Sequence, residues 1–155
     1  NYTHIIGLDG YQRIIPLING SMPGPTIEVY EGTEIVVHVT NKMANEATSI
    51  HWHGLYQQGT PWMDGVSSIT QCGILPGQSF TYRFIANPIG THWYHSHHGI
   101  QRPDGLFGAL IIHEKNQTNL HQTLCGDRQS TLMINEWFHK HNEDILLHRI
   151  GPGFR

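Results

Sequence analysis

Residues 26–40 read TIEVYEGTEIVVHVT, in which two runs of alternating apolar and polar side chains flank the dipeptide Glu31-Gly32. Successive side chains of a β-strand point to opposite faces of a sheet, so this alternation predicts two half-buried strands joined by a tight turn. Six further runs between glycine- and proline-rich turns have the same pattern: 11–18, 48–53, 79–86, 91–96, 106–113 and 131–138. The spacing predicts an all-β fold, an antiparallel sandwich or barrel.

Three rows of side chains are candidates for the core or for a surface that packs on another domain. They are Ile35, Val37 and Val39; Phe80, Tyr82 and Phe84; and Leu106, Gly108 and Leu110. Residues 116–130 are polar and irregular, which indicates a long surface connection. Residues 143–150 predict a short helix, ended by a Gly-Pro-Gly sequence at 151–153. We therefore expect one domain over residues 1–142, and a tail or the start of an interdomain linker over residues 143–155.

The chain has 155 residues, which is the length of one ordinary domain and is enough to bury a hydrophobic core. A net charge of −3 and 14% charged residues provide no basic surface for nucleic acid. No stretch approaches the ~18 consecutive apolar residues of a membrane span, so we expect a soluble chain. The unusual feature is a total of 13 histidines, because imidazole is the commonest protein ligand for transition metals.

Two histidine pairs, His51-X-His53 and His95-X-His97, each lie at the end of a predicted strand. Residues two apart on a strand share a face, so each pair presents two imidazoles to one side. One such pair alone is more often solvated surface, but two pairs on converging strands would gather four imidazoles. Four neutral nitrogens favour copper, zinc, nickel or iron over magnesium or calcium. Pairs on separate strands suit several adjacent ions better than a single zinc tetrahedron, which favours copper.

The other histidines have simpler explanations. His92 and His98 have the wrong strand parity to join the pairs, so we expect them to face the other side. His139 and His141 imitate a pair, but they follow the last predicted strand and are expected to be exposed. The remaining histidines match no ligand motif: His4, His38, His113, His121 and His148. Three aromatic residues beside the pairs are interpreted as packing groups: Trp52, Trp93 and Tyr94.

A series of motifs resembles the first domain of the laccase-like multicopper oxidases, a Greek-key sandwich or barrel of the cupredoxin type. The motifs follow in order: NGSMPGPT at 19–26, HWHG at 51–54, WMDG at 62–65, TQC at 70–72, PG at 76–77, HWYHSH at 92–97, GLFGAL at 105–110 and NEWFH at 135–139. Several motifs in a fixed order are a far more specific signal than one short pattern.

The resemblance implies that His51 ligates a type 2 copper ion. It further implies that His53 and His95 ligate one ion of a type 3 pair, and that His97 ligates the other. In that family the three ions form a cluster that reduces dioxygen to water with four electrons. Asp64 matches the family's acidic residue near the cluster, which implies a proton relay or an acceptor that orients a ligand. Without the resemblance, an aspartate before glycine is an ordinary turn residue.

The chain lacks other parts of such an oxidase. It contains no His-Cys-His element of a type 1 copper site, and the resemblance implies four further cluster histidines on another domain. Two functions follow. The chain is either part of an oxidase, with the remaining cupredoxin domains as its partners, or a non-catalytic copper-binding domain that assembles with another copy of itself. Whether the chain counts as an enzyme stays open at this point.

Cysteines and sequons bear on the compartment. Cys72 and Cys125 could form one disulfide in a secreted protein, and the resemblance also allows Cys72 to bridge to a distant domain. Asn-X-Ser/Thr sequons at Asn1, Asn19 and Asn116 permit glycosylation. Together these features predict a secreted or extracellular glycoprotein.

Overall fold

The computed structural model describes residues 2–7, 9–115 and 129–151. Some of the sequence predictions concern residues outside these ranges or a side chain that is not described. They are most of the surface connection over residues 116–130, the sequons at Asn1 and Asn116, His121, Cys125 and the side chain of His4.

Within the described residues, the chain forms eight strands, one 3-10 turn and one helix. In chain order they are β1 (Tyr2–Ile6), β2 (Gln12–Pro16), β3 (Gly24–Tyr30), β4 (Glu34–Thr40), β5 (Ile50–His53), the turn Pro61–Met63, β6 (Ser79–Ile85), β7 (Gly90–Ser96), β8 (Phe107–His113) and α1 (Asn142–Ile150). β2 to β8 confirm seven predicted runs, whereas β1 was not predicted. The helix confirms the prediction over residues 143–150 and begins one residue earlier. None of the described helices is long and apolar enough to cross a membrane.

The strands form a four-stranded sheet in the order β3-β8-β7-β5 and two pairs, β4-β6 and β1-β2. The predicted all-β architecture is confirmed, but the purely antiparallel arrangement is wrong at one position. β3 runs parallel to β8, with Ile27 opposite Leu110. Turn spacing reports on strands that are neighbours in sequence, whereas a parallel pair needs a long connection and joins strands that are far apart in the chain.

The core lies between the four-stranded sheet and the β4-β6 pair. Trp52 of β5 packs on Tyr82 and Phe84 of β6, with ring centroids 5.3 and 4.9 Å apart. The main-chain N–H of Ile50 donates to the Tyr82 hydroxyl at 2.9 Å, which ties the two sheets together. Of the two alternatives predicted for the three rows, the structure shows the core, because their members are buried or packed against the buried cluster.

Residues 131–138 do not form the predicted strand. The segment lies against β7 and β8, where it lines a groove with Trp93 and Phe107. β7 is already bonded to β8 and β5, and β8 to β3 and β7, so neither strand has a free edge for another ladder. Leu132 and Ile134 remain 83% and 89% exposed. The β-prone run therefore has no pairing partner among the described strands.

A buried polar network attaches the C-terminal segment to the sandwich. Arg13 of β2 forms an ion pair with Asp104, donates to the Phe138 carbonyl at 2.6 Å and lies 4.6 Å from the Trp137 ring centroid. The same Asp104 oxygen accepts hydrogen bonds from the main-chain and side-chain nitrogens of Asn142, at 3.3 and 2.8 Å. The start of α1 is thereby held against the sandwich.

Candidate metal centre

The pairing of β5 with β7 places the predicted ligands on one face. The strands are antiparallel, with His51 opposite His95 and His53 opposite Trp93. The alternate residues Trp52 and Tyr94 point into the core and are 1% and 4% exposed. Since side chains alternate along both strands, the three histidines share the outer face of the sheet.

Three of the four predicted ligands form a compact group. The ligand atoms of His51, His53 and His95 all lie within 4.8 Å of one another. His53 Nδ1 and His95 Nε2 are 3.2 Å apart. Two nitrogens at that separation subtend about 100° at an ion ~2.05 Å from each, so they fit a single metal ion. His97 is not in this group of ligand atoms, but its ring is adjacent to it, with its centroid 5.4 Å from that of His51 and 5.9 Å from that of His95.

Main-chain carbonyls set the tautomers of two predicted ligands. His51 Nδ1 donates to the carbonyl of Asp64 at 2.7 Å, and His95 Nδ1 donates to the carbonyl of Ser96 at 2.8 Å. A carbonyl oxygen only accepts hydrogen bonds, so each Nδ1 carries the proton and each Nε2 keeps a lone pair for a metal. The Asp64 carboxylate lies farther from His51 Nδ1, at 3.4 Å.

The surroundings keep two of these imidazoles neutral. Burial lowers the pKa of His95 to about 4, from an ordinary value of 6.5, and its residue is 3% exposed. Partial burial and, next, the nearby His51 lower the pKa of His53. A metal binds only the unprotonated nitrogen, so both residues are in the binding form near pH 7.

An aromatic and cationic pair lies against the ligands and was not assigned to the site from the sequence. Trp93 stacks on His53 with ring centroids 5.1 Å apart, and its centroid is 4.2 Å from that of His95. The Arg102 guanidinium lies 5.8 Å from the centroid of Trp93. Trp93 was predicted to be a packing group, and it packs directly on two predicted ligands. Arg102 could not be predicted from the sequence, because only the tertiary structure places its side chain beside Trp93.

A buried glutamine supports the strand between the ligands and was also missed. Gln101 is 4% exposed, and its carbonyl oxygen accepts hydrogen bonds from the hydroxyls of Ser96 and Thr48 at 2.7 and 2.9 Å. Its nitrogen donates to the Glu46 carboxylate at 2.9 Å. Ser96 separates two predicted ligands, so this network restrains the backbone that carries them.

Histidines outside the group have polar partners of their own. They are His38 with Thr81, His92 with Pro88, His98 with Ser67, His113 with Glu28 and His139 with Asp9. His92 and His98 are not members of the compact group of ligand atoms among the described residues. His141 lies 3.8 Å from Asp104, so His139 and His141 have different acidic neighbours and do not act as a pair.

Comparison with known proteins identifies the family of this chain. The family model described as multicopper oxidase matches residues 1–117. L-ascorbate oxidase of Brassica rapa subsp. pekinensis is 45% identical over 147 residues, which is 95% of this chain and 25% of that protein. Laccase-1 of Cryptococcus neoformans var. grubii is 45% identical over 139 residues, which is 89% of this chain and 22% of that protein. The chain thus spans about a quarter of the length of the curated relatives it matches.

Solved structures extend the similarity to three dimensions. The laccase from Botrytis aclada matches with a TM-score of 0.71 and 47% identity, over 73% of this chain and 21% of that chain. The blue copper oxidase from Nitrosomonas europaea matches with a TM-score of 0.71 and 40% identity, over 79% of this chain and 39% of that chain. These matches confirm the cupredoxin type of the predicted fold. The chain therefore belongs to the multicopper oxidase family, as a laccase-like N-terminal domain.

Proposed function

We propose that this domain supplies half of the histidine ligands of a trinuclear copper cluster in a laccase-like oxidase. His51 would hold the type 2 ion. His53 and His95 would hold one ion of the type 3 pair, and His97 the other. The observation that carries the proposal is the 3.2 Å separation of His53 Nδ1 and His95 Nε2, with His51 in the same compact group. In this proposal the domain covers residues 1–142, and residues 143–155 are a tail or the start of an interdomain linker.

The donor set fits copper. All the proposed ligands are imidazoles, which suit copper and other transition ions better than magnesium or calcium. When bound, the copper cluster would supply the four-electron reduction of dioxygen to water. The residues of this chain would contribute preorganisation, because His51 and His95 present Nε2 lone pairs that main-chain carbonyls have already oriented.

The proposed role of Asp64 is to hold or move a proton beside the cluster. Its Oδ1 lies 3.4 Å from His51 Nδ1, and the carboxylate is about a quarter exposed. The main-chain carbonyl of the same residue already accepts the His51 proton, so the carboxylate is available for water. A carboxylate in this position can accept and release the protons that oxygen reduction consumes.

The remaining cluster ligands must come from another surface. His53 and His97 are both exposed. We propose that the other cupredoxin domains of the oxidase cover them and that oxidation of the reducing substrate takes place there. The second function considered above, a domain that assembles with another copy of itself, uses the same exposed face, and the oligomeric state of the copper-loaded chain separates the two.

An extracellular location is part of the same proposal. Asn19 of the Asn-Gly-Ser sequon is exposed and lies in a tight turn with φ of 50° between bridged residues Ile18 and Ser21. Cys72 is exposed as well and is available for a disulfide. Intact-mass measurement of the protein from its native source, with and without reduction and deglycosylation, tests both modifications.

Copper binding by the metal-free chain tests the ligand assignment directly. Bound copper is measured by equilibrium dialysis, and native mass spectrometry gives the oligomeric state. Changes to a residue that only supports a ligand typically cost 10–100-fold in metal affinity, so we expect at least ~10-fold weaker binding for H53A and H95A. H38A is the matched control, because His38 is a strand histidine that bonds to Thr81 and is outside the predicted ligand group. Equal affinities for H53A and H38A would refute the assignment.

A further inference from the structure

We propose that Gly65 is a positioning residue of the metal centre. It allows the main-chain carbonyl of Asp64, not the Asp64 carboxylate, to set the tautomer of His51. The inference rests on the proposed function in one respect, the role of His51 as a metal ligand. It assigns separate roles to the carbonyl and the carboxylate of Asp64, and it gives a role to Gly65, the last residue of the WMDG motif.

Gly65 lies in backbone-to-backbone contact with β5. It is buried and has φ of 82°, a conformation that side chains rarely adopt. A Cβ atom at this position would lie 1.7 Å from the Ile50 carbonyl oxygen and 3.0 Å from His51 Cα. Both contacts are main-chain atoms of a paired strand, so no side-chain rotation relieves the collision. Among the twenty residues, only glycine lets the loop approach the strand this closely.

The close approach brings the preceding carbonyl to His51. The Asp64 carbonyl oxygen is 2.7 Å from His51 Nδ1, an ordinary hydrogen-bond distance. The carboxylate oxygen, at 3.4 Å, is beyond the usual 2.7–3.2 Å range for an N–H···O bond. The carbonyl is therefore the acceptor that places the proton on Nδ1 and leaves Nε2 free for metal.

The loop is restrained on both sides of the glycine. The main-chain N–H of Asp64 donates to the Pro61 carbonyl at 3.3 Å, and that of Val66 donates to the Thr70 hydroxyl at 2.9 Å. Because the residues on both sides of Gly65 have partners within the loop, we expect a Cβ at Gly65 to displace this part of the loop from β5. The Asp64 carbonyl would move away from His51 with it.

Nitrogen-15 NMR of the metal-free chain at pH 8 reports which ring nitrogen of each histidine carries the proton. Comparison with H51A assigns the His51 signals. We expect wild-type His51 to show the Nδ1–H tautomer, D64A to keep it, and G65A to lose it. Copper affinity should fall 10–100-fold in G65A. G59A is the matched control, because Gly59 also has positive φ, 78°, but a Cβ atom there would meet no other group within 4 Å.

Three outcomes would overturn the inference. The first is the Nε2–H tautomer for His51 in the wild-type chain. The second is a tautomer switch in D64A, which would make the carboxylate the orienting group. The third is retention of the Nδ1–H tautomer and of copper affinity in G65A. The first two measurements remain decisive if G65A does not fold. The expected tautomers together with unchanged copper binding in H51A would instead refute the proposed ligand role of His51 and leave the positioning by Gly65 intact.

Discussion

Replacement of Asp104 by alanine should be among the most destabilising single changes in this domain. The carboxylate pairs with Arg13 in the interior, where the two side chains are 9% and 3% exposed, and it also accepts two bonds from Asn142. Removing one partner of a buried pair leaves an uncompensated charge, which costs about 3–5 kcal/mol. With a urea m-value of ~2 kcal/mol/M, D104A should lower the unfolding midpoint by about 2 M.

Urea unfolding followed by far-UV circular dichroism measures this effect, and a surface pair provides the control. Arg83 and Glu34 form an ion pair of 2.6 Å, but their side chains are 56% and 49% exposed. Solvent screens such a pair, so E34A should cost less than about 1 kcal/mol. The double variant R13M/D104M removes both buried charges and should recover part of the loss. Equal midpoints for D104A and E34A would show that burial of the Arg13 pair does not stabilise the fold as argued.

Three further results are expected. Burial raises the pKa of Tyr94 to about 12, from 10.0, so the unfolded state loses its phenolic proton first. The unfolding free energy should therefore fall by up to about 3 kcal/mol as pH rises from 10 to 12. Unfolding curves of Y94F over the same pH range should lack the part of this fall that comes from Tyr94. G108A should cost about 1–3 kcal/mol in thermal unfolding, because its Cβ would lie 2.4 Å from the Tyr94 ring, whereas an unchanged melting temperature would contradict this packing. Q101L should cost about 1–3 kcal/mol, because it leaves the Ser96 and Thr48 hydroxyls without their shared acceptor, and it should weaken copper binding. Wild-type copper affinity in Q101L would show that this network does not support the ligands.

Short-range sequence patterns were sufficient to predict most strands and the shared face of the predicted ligands. Strand periodicity depends on adjacent residues, so Ile35, Val37 and Val39 could be assigned to one face without knowledge of their neighbours, but whether that face met the core or another domain stayed open. The same parity argument placed His51 and His53 together and excluded His92. The motifs then identified the family, because their order along the chain is itself sequence information.

Where the sequence prediction was wrong, pairing across the chain decided the result. Residues 131–138 have the composition of a strand, but β7 and β8 offer them a face and no free edge. The parallel pairing of β3 with β8 was equally invisible, since no turn links these strands directly. A run of β-prone residues can form a strand, but whether it does depends on a free strand edge elsewhere in the fold.

The sequence by itself determined the all-β class and the strand parity, because each depends on residues close together in the chain, and it predicted four histidine ligands from their motifs. Tertiary structure decided how those histidines meet and which atoms they offer. His53 and His95 are 42 residues apart, yet their nitrogens are separated by 3.2 Å. The carbonyl that orients His51 reaches it only because Gly65 lets two backbones touch. Such contacts need segments that are far apart in the chain to lie close together and be shielded from water, and both conditions are met only in the packed structure.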